Sequence, residues 1–169
     1  MTAVVLLLLL ASAAVGLAYA FPAVRRELPT ALFASAALVM VLAAVGVSTI
    51  DGPLPPAALW WVAIAALLAA SLGGAPVVDE VLALIPPDPD RAPPSLPAFD
   101  WAGVAERFGF VLALLLGLPE VAAVLLAVQA LGIVATRSHS GSAGVRVLGT
   151  LVGAGWALLC FASWWLASR

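Results

Sequence analysis

Charge is what this sequence has least of. Of its 169 residues only 9% are Asp, Glu, Lys or Arg, while 64% are hydrophobic. A soluble domain carries about 25% charged residues and about half apolar ones, so this chain has no polar coat to spread over a core. Soluble enzymes and soluble nucleic-acid binders are thereby excluded, and the chain reads as an integral membrane protein. Lysine is absent: the seven basic residues are all Arg, set against nine acidic ones for a formal charge of −2. No basic patch exists for a phosphate backbone, so no nucleic-acid partner is expected, and attraction to anionic headgroups is weak. Arg in place of every Lys, with abundant Ala, Leu and Val, is the composition of a high-GC bacterial genome.

Chemistry-bearing residues are equally scarce. The single cysteine, Cys160, lies in an apolar run and forms no intrachain disulfide. The single histidine, His139, has no second histidine or cysteine at ligand spacing, so neither a metal site nor haem ligation is expected. Asp88-Pro89-Asp90 sits in a rigid Pro-rich setting and reads as a loop. The chain has no HExxH, no GxSxG and no P-loop. No catalytic residue, no cofactor and no enzymatic activity is expected.

Long apolar runs are present in quantity. Met1–Val24, Leu28–Ile50, Gly52–Val78 and Val147–Ser168 are free of charge, and each exceeds the roughly 20 residues that cross a hydrocarbon core of about 30 Å. Helices are the form that satisfies backbone groups in lipid, and they are expected near residues 2–21, 31–50, 57–74 and 146–167. The first run ends in Ala18-Tyr19-Ala20, like a signal-peptidase site, but the basic n-region of a secretory signal is missing. It is read as a retained helix.

Between Arg107 and Arg137 one straight helix would be about 45 Å long at 1.5 Å per residue, too long without steep tilt. Gly117-Leu118-Pro119-Glu120 supplies a helix stop, a Pro and an acidic first turn. A hairpin of two short helices, 101–117 and 119–136, is expected, with a kinked single span or a shallow re-entrant pair as alternatives. Seven of the thirteen prolines fall between Pro76 and Pro97, together with Asp79, Glu80, Asp88 and Asp90. Val77–Ile85 suits a short interfacial helix, and Pro86-Pro87-Asp88-Pro89 forces an extended path. The expected architecture is an all-α polytopic bundle of five or six spans. It divides into three helices over 1–74, an acidic Pro-rich loop over 75–100, and a hairpin plus final span over 101–169.

Arginine placement orients this bundle. With six spans and an external N-terminus, Arg25, Arg26, Arg91, Arg107, Arg137 and Arg146 are cytoplasmic, and only Arg169 is outside. With five spans the split weakens to five against two. Trp60, Trp61, Trp164 and Trp165 then share the outer interface, as an aromatic belt. The expected location is the bacterial inner membrane.

Ionisable groups at or within spans are the natural functional candidates, because charge in a bilayer is costly. Glu106 and Arg107 open the fourth helix, and Glu120 opens the fifth. One reading makes them a proton- or ion-handling path. The simpler reading places Glu106 favourably at a helix N-terminus, lets Arg107 snorkel to headgroup phosphates, and explains Glu120 by its first-turn position. Gly149 and Gly153 form a GxxxG, followed by Gly155; glycines so spaced serve helix packing, within the chain or between copies. A transporter with broken helices would show Gly/Pro interruptions in both halves, whereas only Pro119 is expected to interrupt a span.

The last third carries a resemblance. Ala105-Glu106-Arg107-Phe108, Gly117-Leu118-Pro119-Glu120, Ala127-Val128-Gln129-Ala130, and Val147-Leu148-Gly149-Thr150-Leu151 with Gly155-Trp156-Ala157-Leu158 resemble a group of uncharacterised bacterial inner-membrane proteins. That group has a Leu-Glu-Arg start, a Pro-Glu turn and a Gly-Thr-Leu…Trp-Ala-Leu helix. Residues 104–160 are covered, with Gln129 where the group has Lys. The resemblance implies the helical hairpin. Two functions are compatible with these residues. The first is a non-catalytic accessory or structural subunit, in contact with membrane lipids and with other membrane-protein subunits or further copies. The second is a small transporter or permease component with a path near Glu106, Arg107 and Glu120.

Overall fold

A computed structural model describes residues 2–50, 53–85, 101–135 and 142–169. Their regular structure is helical throughout: α1 Thr2–Ala20, α2 Pro22–Glu27, α3 Thr30–Ile50, α4 Pro56–Ala83, α5 Trp101–Leu115, α6 Pro119–Ala135 and α7 Ser142–Ala167. Four helices are long and apolar enough to cross a membrane: α1, α3, α4 and, over Val147–Ala167, α7. The Pro-rich stretch from residue 86 to 100, with Asp88 and Asp90, and the stretch holding Arg137 and His139 lie outside the described residues.

Breaks between helices follow local chemistry. Pro22 and Pro56 occupy first-turn positions, where a missing N–H costs no hydrogen bond. Gly117 ends α5 at φ +71°. Its N–H donates to Leu114 O (3.0 Å), and Leu118 N–H donates to Ala113 O (2.9 Å). This Schellman pair satisfies two orphan carbonyls and needs the left-handed residue that Gly supplies. Gly109 meets Leu125 across the two arms, and each lies eight residues from Gly117. The arms therefore run antiparallel, side by side.

Side-chain contacts define two ends. Leu54 N–H donates to Ala167 O at 2.8 Å, tying the start of α4 to the end of α7. This is the termini end, and Trp60, Trp61, Trp164 and Trp165 all belong to it. At the opposite loop end the Tyr19 hydroxyl donates to Asp79 Oδ2 at 2.7 Å, the Arg25 guanidinium lies 5.4 Å over the Tyr19 ring, and Phe33 packs on the same ring at 5.5 Å. α1 and α4 thus run parallel, with α2 capping the loop end.

The centre is α4. In its most apolar stretch 61% of residues are buried, against 28–33% in α1, α3 and α7. Its inner positions are mostly small: Ala63, Ala65, Ala66, Ala69, Ala70, Ser71, Gly73, Gly74 and Ala75. Hydrophobic driving force between helices is absent in lipid, so close backbone approach through small residues holds such a bundle. Hydroxyls of Ser48, Ser71 and Ser163 are internally satisfied by the carbonyls four residues back.

Two expectations need correction. The third span does not stop near residue 74: α4 continues to Ala83 and absorbs the short helix expected over 77–85. Pro119 is not the only proline to interrupt a span, because Pro76 lies inside α4. A Pro within a helix removes one hydrogen bond and crowds the carbonyl four residues earlier, here Leu72. At that carbonyl α1 packs backbone to backbone, with Gly16 so close to Leu72 O that a Cβ there would overlap it. Only a glycine admits this approach, which places the Gly16 Cα–H group against the carbonyl.

Gly16→Ala is therefore expected to force α1 from α4 and cost about 2–3 kcal/mol. Gly46→Ala, where nothing lies within 4 Å, is expected to stabilise by roughly 0.5–1 kcal/mol through helix propensity. Thermal unfolding of both variants in one detergent measures the contrast.

Candidate functional site

Ser71 and Leu72 precede Pro76 by five and four residues, so the turn that loses a hydrogen bond also holds the polar centre of the bundle. Arg107, on α5, is 8% exposed. Its Nε and Nη2 donate to Ser71 O at 3.4 and 3.2 Å. The aliphatic part of its side chain passes along Gly74 and Gly153, where added Cβ atoms would lie 3.0 and 3.8 Å from Cδ. Trp156, on α7, donates from its indole N–H to Ala69 O at 3.1 Å and lies against Gly73 and Gly74. α1, α5 and α7 each direct a group at the backbone of α4 within about two turns of Pro76. Buried Cys160 belongs to the same core cluster as Trp156.

The expected placement of Arg107 is overturned. It does not snorkel to headgroups; it turns inward, because consecutive glycines on α4 leave a channel for its stem and a backbone carbonyl for its head. Glu106, one position along α5 and so about 100° around the helix, is exposed, and Glu120 in the first turn of α6 is exposed too. Glu120, three residues past Gly117 and so level with Leu114 of α5, lies about 10 Å along the axis from Arg107 at roughly 1.5 Å per residue. The three charged residues do not converge on one cavity.

The glycines sort differently from the sequence pattern. Gly149 faces Leu82 and Val78 at 3.7 Å, Gly153 faces Arg107 at 3.7 Å, and Gly155 has nothing within 4 Å. The GxxxG pair therefore packs inside the chain, at ordinary van der Waals distance. The tight approaches are at Gly16, Gly73 and Gly74, which no GxxxG spacing marks. Gly73 and Gly74 sit three and two residues before Pro76, and the Gly-Gly-Ala-Pro run in an apolar stretch is the signal that identifies them. Ser12 completes the region. Its hydroxyl is fully buried, would lie 2.8 Å from a Cβ on Gly73, and has no hydrogen-bond partner among the described residues.

Comparison with known proteins returns nothing: no protein-family model, curated protein or solved structure matches this chain.

Gly74→Ala, whose Cβ would lie 2.7 Å from Trp156 Cδ1 and 2.9 Å from Arg107 Nε, is expected to destabilise by about 1–3 kcal/mol. Gly153→Ala fits at contact distance and is expected to change stability by less than about 0.5 kcal/mol. Melting of the two variants side by side separates required glycines from tolerated ones.

Proposed function

We propose that this chain is a non-catalytic accessory subunit of a membrane complex, docking through α6. One observation carries the reading. Among the described side chains of α6 only Ala122 is buried, and Val121, Val124, Val128 and Leu131 all point outward. Their 3-4-3 spacing is that of a helix–helix seam, and exposed Ala123, Ala127 and Ala130 beside it let a second helix approach closely. Arg107 and Trp156 are engaged with the backbone of α4, and Glu106 and Glu120 are exposed, which supports packing rather than conduction.

The bilayer placement that accompanies this reading has six crossings. Gly74 lies thirteen residues beyond Trp61, about 20 Å at roughly 1.5 Å per residue. Arg107, beside Gly74, lies six residues beyond Trp101, about 9 Å on the same basis. The termini-end tryptophans and the exposed Trp101 are thus separated by close to the thickness of a hydrocarbon core, about 30 Å. α5 and α6 are short crossings between these levels. Arg25 and Arg26 sit at the loop end and Arg169 at the termini end, so the arginine bias puts the loop end in the cytoplasm and the N-terminus outside, in a bacterial inner membrane.

A second reading, a small transporter or permease component, is favoured by one feature: the partnerless Ser12 hydroxyl beside an opened, arginine-braced turn. Intramembrane charges at broken helices often mark substrate paths.

Affinity purification from native membranes is expected to recover a membrane protein at fixed stoichiometry. Val124→Trp and Val128→Trp are expected to lower its recovery about tenfold, consistent with loss of roughly 1.4 kcal/mol at the seam, with the melting midpoint unchanged. Recovery of no stoichiometric partner from wild type sinks this reading. Proton and solute flux in liposomes is expected to be near zero for wild type, Glu106→Gln, Glu120→Gln and Ser12→Ala. Wild-type flux that Ser12→Ala abolishes would establish the transporter instead.

A further inference from the structure

At the loop end a groove of about 250 Å³ opens between α3 and α4, lined by Ala31, Ala34, Ser35 and Leu38 on one side and Val77, Glu80 and Val81 on the other. The first four recur at the spacing of one helix face, as do the last three. The gap has a structural origin. Phe33 and Ala37 draw α3 toward the bundle interior, with Phe33 stacked on Tyr19. Ala31, Ala34 and Ser35 are then too small to fill the space opposite Val77 and Val81. The Ser35 hydroxyl donates to Leu32 O at 3.1 Å and offers the groove no unmet donor. Hydrocarbon suits this surface; a polar solute does not.

Charge at the mouth selects the headgroup. Glu80 lies nineteen residues beyond Trp61, about 28 Å at roughly 1.5 Å per residue, which is the level of the opposite headgroups in the placement above. It is the one charged residue lining the groove. α2, carrying Arg25 and Arg26 in its last turn, lies at the same end. A lipid with a primary ammonium complements Glu80: its ammonium donates hydrogen bonds to the carboxylate. A choline headgroup lacks the N–H donors, and a glycerol headgroup lacks the cation.

We infer that this groove binds one acyl chain of phosphatidylethanolamine, held by an ammonium–Glu80 contact. The inference rests on the bilayer placement proposed above, not on the docking role of α6. The full chain, delipidated in mild detergent and offered phosphatidylethanolamine, phosphatidylglycerol or phosphatidylcholine of identical chains, is read by native mass spectrometry. Retention of one phosphatidylethanolamine is expected at about tenfold over the other two, the ratio of a single charge-assisted hydrogen bond. Glu80→Gln is expected to bring the three lipids to parity. Ser35→Leu, at an exposed position that leaves the fold intact, is expected to abolish retention of all three at an unchanged melting midpoint. Equal retention of the three lipids by wild type overturns the inference, as does undiminished phosphatidylethanolamine binding by a folded Ser35→Leu variant. A chain that stays monodisperse without detergent would instead remove the bilayer placement itself, so the two failures are distinguishable.

Discussion

The centre of this bundle is the stretch of α4 around Pro76, where one backbone hydrogen bond is missing. Pro76 gives α4 no N–H for the carbonyl of Leu72, in the middle of a helix otherwise surrounded by its neighbours. In hydrocarbon an exposed carbonyl has no water to turn to, and leaving it bare costs several kcal/mol. Three neighbouring helices meet this stretch of α4, although Leu72 O alone is freed by Pro76, since Ala75 and Gly73 keep the N–H groups four residues on from Ser71 and Ala69. α1 brings a glycine against Leu72 O, α5 sends the Arg107 guanidinium to Ser71 O, and α7 sends the Trp156 indole to Ala69 O. These partners reach the backbone because the adjoining residues of α4 are Gly and Ala. Small residues, the helix break and the buried arginine form a single device.

Burying an arginine requires compensation, since removing a guanidinium from water is costly even when paired. Arg107 meets part of that cost with its aliphatic stem against Gly74 and Gly153, and part with hydrogen bonds to a carbonyl beside the opened turn. The surroundings of Arg107 support the proposed packing role rather than conduction. Glu106 and Glu120 are turned away, and the interior hydroxyls of Ser48, Ser71 and Ser163 are folded back onto their own helices. Ser12 alone departs from this pattern, which gives the transporter reading its foothold.

The α5–α6 hairpin joins the rest through α5, whose Arg107, Phe110 and Val111 are buried. Its arms are shorter than the four long helices, its turn is a glycine-stabilised reversal, and α6 contributes a single buried residue among those described. The outward row of Val121, Val124, Val128 and Leu131 is the feature that supports the proposed docking role of this helix. The loop-end groove, by contrast, lies where small residues of α3 face Val77 and Val81 of α4, and this apolar lining with Glu80 in it supports the lipid proposal.

Much of the architecture could be read from the sequence. The scarcity of charge dictated a membrane environment, runs of about 20 apolar residues marked the four long helices, and Gly117-Leu118-Pro119 marked the reversal between α5 and α6, because these signals are local. The extent of α4 was not legible. Pro76 and the following acidic pair read as a boundary, yet α4 runs through them, packed against α1 at Leu72 O. Arg107 read as a headgroup contact because its position near a helix start says nothing about which way it turns. That direction depends on Gly74 and Gly153, thirty-three positions before it and forty-six after. Likewise GxxxG spacing drew attention to Gly149 and Gly153, while the tight contacts formed at Gly16, Gly73 and Gly74. Hydrophobicity and turn chemistry act within a few residues and so are written in the chain itself. The partners of a freed carbonyl or a buried charge come from distant segments, and only their meeting in three dimensions decides them.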